Sequence, residues 1–454
     1  MTGSPSRPRA TTVPATMNTN MTKTTSLCAL MHLLVDGLCA CSLYILIGGS
    51  SFTGYAWVFI TYTIMAFLTQ PLTGLLADHA LQKSNILILS ADLLLVMAVV
   101  LVSIALLLPT PPIVIFFCVA ILLGMGNSLF HVWGGKRVAV LTHNDIRALG
   151  VFVATGAMGI AIGVVYASWL LLYGLLTAIA LTTVVAIRIT DNTADNNSDS
   201  AITFSGRVWW AWCAALLLMA FVCIRSYLGE ALTTGVTKSA NMILLIGGIA
   251  MLGKGLGGWV AKGIGIWQTL FLALIGTLAC LWLKGSAGWL WIPGVLFINF
   301  TMAVTLYMCN SVMPGREGLA FGLLAASLMP GYLLAQISGT PLHVLPLVLS
   351  LTLTVAIEVG VLRLLREKRA DVLWSSVMVN ILTNLPLNLC LINIDGGWGA
   401  IAVGEVLVVL AEAIWYRFIT SSWKTGTIYS IICNAISFLF GLLILLTIRL
   451  FQIL

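Results

Sequence analysis

The sequence predicts an all-α integral membrane protein: two six-helix bundles followed by three additional C-terminal transmembrane helices. Three observations lead there. Hydrophobic residues make up 60% of the chain and charged residues 8%, with a mean hydropathy of +1.06, which leaves too little polar surface to solvate a globule. About fifteen apolar segments of roughly 20 residues, the length a helix needs to cross a bilayer, are separated by short turns carrying Gly, Pro, Asn or charge. Segments this long are helices and not barrel strands. Finally, the stretch Gln70–Lys83, QPLTGLLADHALQK, recurs in altered form at Lys254–Gly265, KGLGGWVAKGIG, so that Gly74 aligns with Gly258, Asp78 with Lys262 and Gln70 with Lys254. Two widely separated copies of one helix ending are the trace of an internal duplication.

Taken in order, residues 1–25 are rich in Thr, Ser and Pro and lack the apolar core of a signal peptide. They are expected to form a disordered cytoplasmic tail, with Met17 and Met21 as alternative translation starts. The N-terminal six-helix bundle occupies 26–188, with spans near 26–47, 55–76, 84–108, 113–133, 148–168 and 169–188. Residues 189–206, ITDNTADNNSDSAITFSG, hold three aspartates and no Lys or Arg, and read as a flexible cytoplasmic linker. The C-terminal six-helix bundle occupies 207–366, with spans near 208–228, 241–261, 267–284, 288–310, 317–337 and 343–365, closed by the basic cluster Arg363–Arg369. An appended three-helix membrane module, 371–454, adds spans near 373–393, 398–420 and 427–451.

The formal net charge of +7 is spread singly over span ends. That pattern places the N-terminus in the cytoplasm and gives no patch for nucleic acid. The ten cysteines lie mostly inside apolar runs, without CxxC spacing, and read as small buried hydrophobes. The absence of GxxxxGK[ST], HExxH and GxSxG from the sequence argues against an ATP-driven pump or an intramembrane enzyme. No catalytic residue, resident metal or cofactor is expected.

The chemistry then rests on polar residues inside apolar helices. His32 and Asp36, four apart, share a face of the first helix, with Asp36 roughly 15 Å from its start at 1.5 Å per residue. An aspartate near the bilayer centre costs about 2.5–3.5 kcal/mol on insertion scales, so it needs a cavity, a partner or a proton. Asp36 is therefore a candidate proton carrier with His32, or else a packing hydrogen bond to His32 or Asn127. Asn127 and His131 form a second such pair in the fourth helix. Arg225 stands near the end of the seventh helix, able to pair with Glu230 or to face a cavity. Lys254 sits two turns inside the end of the eighth, where its ammonium suits an anionic substrate or a structural acid. Asp78 can accept hydrogen bonds from a neighbouring helix N-terminus and pair with a cation, and with Gly74 would gate the cytoplasmic side. Asp92 and Glu358 are further intramembrane acids without an evident partner. In the appended module, Asn380, Asn384 and Asn388 form one stripe, loosened by Pro386, and Glu405 and Glu412 another. They make either helix-packing contacts or an ion or proton site.

Gly74, Leu75, Ala77 and Asp78 resemble the signature loop between the second and third helices of the major facilitator superfamily. Over residues 26–366, HLLVDG (His32–Gly37), GNSLFHVWGGKR (Gly126–Arg137), RALG (Arg147–Gly150), RSYLG (Arg225–Gly229) and MPGREGLAFG (Met313–Gly322) together resemble its fosmidomycin-resistance branch. The resemblance implies two bundles of major facilitator type, with the first and fourth helices adjacent, so that His32, Asp36, Asn127 and His131 form one cluster. It also implies a proton-coupled exporter of small molecules. The chain departs from the pattern in three places. Gly156, Gly159 and Gly163 in the fifth helix have no proline among them, where antiporters of the superfamily often carry one. Lys262 stands where the second loop copy would carry an acid, and the last three helices lie outside the likeness.

The expected function is a secondary active transporter, an antiporter exporting small organic molecules or drugs by alternating access. Asp36 and His32 would couple protons, Asn127, His131, Arg225 and Lys254 would line the substrate cavity, and Gly74 and Asp78 would gate. The alternatives are a divalent-metal transporter using His32, Asp36 and His131, a metabolite transporter, or a non-transporting membrane sensor. The expected partners are a small-molecule substrate, protons and the lipid bilayer, with no nucleic acid, for a functional monomer in a bacterial inner (cytoplasmic) membrane.

Overall fold

The computed structural model describes residues 15–48, 55–79, 84–191, 208–284, 287–337, 344–369, 397–420 and 422–453, together with positions 372, 373, 376, 379, 380 and 383. Regular structure among the described residues is helical throughout, and ten of its helices are long and apolar enough to cross a membrane. Large apolar side chains face outward along these helices, with Leu107 and Leu170 each more than 80% exposed. Such a surface is soluble in lipid and not in water. The protein is an all-α integral membrane protein.

Two compact units form within it, one within residues 1–203 and 213–333, the other within 204–212 and 334–454. In the first, α1 (Ala15–Gly48) reaches back well beyond the expected start near residue 26, so 15–25 are helical. No Gly or Pro interrupts the chain from Ala15 to Asp36, and the Thr25 hydroxyl donates back to the Met21 carbonyl at 3.0 Å. Helices α2 (Tyr55–Thr63) and α3 (Gln70–His79) form one span, joined by a single wide turn at Ile64–Leu68, a feature often found at functional sites. Then follow α4 (Ser84–Leu107), α5 (Ile113–Leu141), α6 (Ile146–Val165) and α7 (Trp169–Asp191). The second half of this unit contains most of α8 (Val208–Thr233), α9 (Ala240–Ile264), α10 (Ile266–Leu283), α11 (Trp291–Val312), α12 (Glu317–Ala326) and part of α13 (Leu328–Ile337).

The contacts that position the site are made by small residues. α6 lies between α1 and α9, and α3 lies against α12. Gly159 and Gly163 of α6 face the Leu33 and Gly37 carbonyls of α1 with no room for a Cβ, so the two backbones meet directly, as close-packed membrane helices do. Around α8–α11 the core is Leu232, Ile249, Cys280, Trp291, Val295 and Ile298.

The second unit contains α14 (Val344–Leu364), α15 (Gly397–Thr420) and α16 (Trp423–Ile453). Val361, Leu362, Val372, Leu373, Val379, Tyr416 and Cys433 make its core. Just beyond the end of α14, Glu367 takes the Arg369 guanidinium at 2.8 and 3.1 Å and the Tyr429 hydroxyl at 3.0 Å. The Arg369 contact, with help from Tyr429, holds its carboxyl down at about 2.

Candidate functional site

Four polar side chains meet in the middle of the first unit. His32 and Asp36 come from α1, Asn127 and His131 from α5, and all are buried or nearly so. Asn127 donates to Asp36 Oδ1 at 2.9 Å. His32 Nε2 is 3.2 Å from Asp36 Oδ2, and His131 Nε2 is 3.5 Å from Asp36 Oδ1. The two Nε2 atoms are 2.8 Å apart. Gly156 of α6 closes the cluster: a Cβ there would overlap Asp36 Oδ2 and His32 Nε2. Phe130, Phe152 and Phe321 pack around the two imidazoles and keep the surroundings apolar.

The remaining ring nitrogens decide the protonation. His32 Nδ1 lies 2.7 Å from the Phe152 carbonyl and His131 Nδ1 lies 2.9 Å from the Asn127 carbonyl. A carbonyl only accepts, so each Nδ1 carries the proton, and in a neutral ring each Nε2 then presents a lone pair. Two lone pairs at 2.8 Å repel. The pair is thus arranged to receive a shared positive charge, and the Asp36 carboxylate lies beside both nitrogens.

At one end of the same unit, Asp78 at the close of α3 accepts from the backbone N–H groups of Gly318 and Leu319, each at 2.9 Å, at the first turn of α12. Lys136 Nζ is 3.4 Å from Asp78 Oδ1 and donates to the Ala77 carbonyl at 2.6 Å. The acid thus holds a helix N-terminus, where the helix dipole favours negative charge. Gly74 permits this, since a Cβ there would lie 2.7 Å from the Gly318 carbonyl carbon and 2.9 Å from Leu319 Cα.

The duplicated copy makes the matching contact with its charges exchanged. Gly258 on α9 presses against Ile146 and Arg147 at the start of α6, with no space for a Cβ. Here the acid is on the receiving helix: Asp145 caps α6 by accepting from Arg147 N at 2.9 Å and pairs with the Arg147 guanidinium at 2.7 Å. That hydrogen bond is the first reason its carboxyl titrates below the usual range, and Lys262 adds to it. Lys262 in the second copy is exposed and lies within electrostatic reach of that acid without pairing with it among the described residues. Arg147 also lies over the Trp259 ring at 5.2 Å.

Arg225 and Lys254, which the sequence placed with the substrate cavity, line a cavity of about 240 Å³ with Ser226, Glu230 and Asn299. Arg225 and Glu230 do not form an ion pair with each other among the described residues. Gln70, the counterpart of Lys254, is fully buried and donates to the Ala66 carbonyl at 2.8 Å.

In the second unit, Asn380 donates to Glu358 at 2.6 Å, which gives the α14 acid the partner the sequence did not reveal. Glu412 of α15 accepts from Asn434 and from Thr383, the latter at 3.1 Å. Glu405 is half-buried. Asn384, Asn388 and Pro386 lie outside the described residues. Sequence reading missed Thr383, Asn434 and the Phe152 carbonyl, and noted Gly156 only as one of the fifth-helix glycines. Asn434, an amide in an apolar stretch, gave a signal; Thr383 acts through a hydroxyl common in such helices, and the others through backbone or position.

No protein-family profile and no curated protein matches the chain. Among solved structures it is similar to the E. coli fucose:proton symporter, with a TM-score of 0.49 and 14% identity over 70% of this chain and 92% of that one. It is also similar to a bacterial homologue of the iron transporter ferroportin in an outward-facing state, with a TM-score of 0.46 and 14% identity over 86% of this chain and 99% of that one.

Proposed function

We propose that the chain is a secondary active transporter of major facilitator type, exporting small organic molecules by alternating access and coupled to protons at His32, Asp36 and His131. One observation carries this reading: the two facing Nε2 atoms, each ring locked by its Nδ1 and both flanked by one carboxylate. With a proton between the rings the cluster is neutral and suits a buried site. Without it, a carboxylate held by Asn127 alone faces two lone pairs. Loading and unloading therefore favour different arrangements, which alternating access requires. Asp78 on the α12 N-terminus supports the same reading, since its two charge-assisted hydrogen bonds exist only while α3 and α12 are closed on each other.

The test is accumulation of a panel of small antibiotics in a host stripped of its own efflux pumps, with wild type and Asp36→Asn at equal membrane levels. Wild type is expected to lower accumulation of at least one compound and Asp36→Asn to leave it unchanged. Equal export by both would remove Asp36 from coupling, and no export by wild type would remove export.

A divalent cation between the rings is the second reading, favoured by spacing. The two Nε2 atoms stand 2.8 Å apart, Asp36 sets Oδ2 3.2 Å from His32 and Oδ1 3.5 Å from His131, and one donor atom from each of the three residues lies within 4.8 Å of the other two, a donor set of the nitrogen and oxygen type that divalent zinc takes. Both rings also anchor their second nitrogen on a carbonyl, as metal-binding histidines do. Calorimetric titration of the purified protein with Zn²⁺ separates the two: stoichiometric binding lost in His131→Gln supports the metal, and no heat supports the proton.

A further inference from the structure

The cavity between α8, α9 and α11 contains a buried guanidinium, two of whose nitrogens have no partner among the described residues. Arg225 is 6% exposed, and its Nε and Nη2 are buried without a hydrogen-bond partner among the described residues. Leaving such donors unpaired is costly, the more so because the group is charged. The neighbouring polar side chains do not compensate. Ser226 spends its hydroxyl on the Leu328 carbonyl at 2.8 Å, and the Asn299 amide donates to the Val295 carbonyl at 2.8 Å. Lys254 lines the same cavity and adds a second positive charge within electrostatic reach of Arg225. Glu230, the one acid in the lining, is also drawn on by Lys238. Counting the three charged groups of the lining, the cavity is positive by one.

We infer that this cavity binds the carboxylate of a small organic monoanion, with Arg225 as the fork that takes its two oxygens and Lys254 as the supporting charge. The inference rests on the transporter reading for calling that anion the cargo, but the binding site stands on its own residues. A guanidinium presents parallel N–H groups at the spacing of a carboxylate, so an empty Arg225 is a preformed half of a bidentate pair. The excess of a single positive charge matches a monoanion. Lys254 also lies within electrostatic reach of Asp36 and His131, so the charge of a bound anion is felt at the proposed proton site, which is what coupling of cargo to cation needs.

The full chain in lipid nanodiscs is titrated with acetate and benzoate, and with their neutral twins acetamide and benzamide, while the thermal unfolding midpoint is followed by tryptophan fluorescence. At least one carboxylate is expected to raise the midpoint saturably while its amide does not. Arg225→Gln is expected to weaken that response by roughly ten- to a hundredfold, the worth of charged hydrogen bonds. Arg225→Lys, which keeps charge but loses the fork, should fall between. Without ligand, Arg225→Gln should unfold no lower than wild type, because the guanidinium has no internal partner to lose. The inference is overturned if neither carboxylate outperforms its amide, if Arg225→Gln retains the full response, or if unliganded Arg225→Gln unfolds several degrees lower, which would make the arginine structural. Asp36→Asn should still show a saturable carboxylate response, tighter than wild type because a negative charge within reach of Lys254 is removed. If its export proves equal to wild type while carboxylate binding holds, the coupling reading fails and the anion site stands; if export depends on Asp36 and neither carboxylate binds, the anion site alone fails.

Discussion

At the scale of single residues, the account depends on two imidazoles whose tautomers are set by backbone carbonyls. Gly156 is the sharpest test of that geometry, because its missing side chain is what lets α6 close over Asp36 and His32. Gly156→Ala is expected to displace the cluster, to abolish Asp36-dependent export and to cost about 1–3 kcal/mol of stability, the usual range for overpacking, read by drug accumulation and by unfolding of the purified protein. The acids of the second unit make a contrasting case. Glu358→Gln keeps an oxygen to accept from Asn380 and should cost under about 1 kcal/mol, whereas Glu358→Ala removes that acceptor and opens a cavity, for about 2–4 kcal/mol. Unfolding curves of the two variants would check this; equal losses would mean the hydrogen bond is not what Glu358 contributes. The polar residues themselves were legible in the sequence, since His32, Asp36, Asn127 and His131 interrupt apolar helices at i, i+4 spacing. Their tautomers were not, because Phe152 and Asn127 contribute carbonyls, and a carbonyl leaves no mark on a sequence.

At the scale of elements, the duplicated helix ending turns into two docked helix starts. In the first copy the acid travels with the docking helix, as Asp78 on α3. In the second it belongs to the receiving helix, as Asp145 capping α6, with Lys262 as its distant complement. Sequence alignment displayed the glycines and the exchanged charge, but the acid that answers Lys262 sits more than a hundred residues away and could only be found in space. Asp78→Asn is expected to weaken the α3–α12 contact by about 1.5–3 kcal/mol. In a variant with Cys309 as its single cysteine, buried where α11 meets α12, maleimide labelling should quicken by roughly tenfold or more, since each 1.4 kcal/mol is a factor of ten; an unchanged rate would deny Asp78 its closing role. The Glu367 staple predicts a pH response of the second unit. Its carboxyl is held at about 2 by Arg369, below the unfolded value, so its stabilisation is fully present above the ordinary carboxylate range and is lost as pH falls towards about 2. Amide exchange at Glu367, whose N–H bonds the Leu362 carbonyl, should be unaffected by that titration between pH 7 and 5, after correction for intrinsic exchange, and lose protection below about 4.

For the whole molecule, composition called for a membrane protein and the roughly 20-residue length of its apolar segments for helices, because only helices or a closed barrel satisfy a backbone in lipid and barrel strands are about half as long. What composition could not supply is which polar residues of distant helices share a cavity: Arg225 and Lys254 come together from α8 and α9, and only the packing of those helices on α11 reveals an unpaired guanidinium. In the proposed cycle a cation sits between His32 and His131, an anion at Arg225 and a closure at Asp78. Its central claim is that a proton occupies the space between the two imidazoles. The direct measurement is the ¹⁵N NMR spectrum of the histidine rings in bilayer-reconstituted protein with the other three of its five histidines replaced by Gln, compared with the same protein carrying Asp36→Asn. The account predicts both Nδ1 atoms protonated and one proton shared by the two Nε2 atoms, with that shared proton lost when Asp36 is neutralised. A ring with a bare Nδ1 and its own Nε2–H, or a spectrum indifferent to Asp36→Asn, would contradict it.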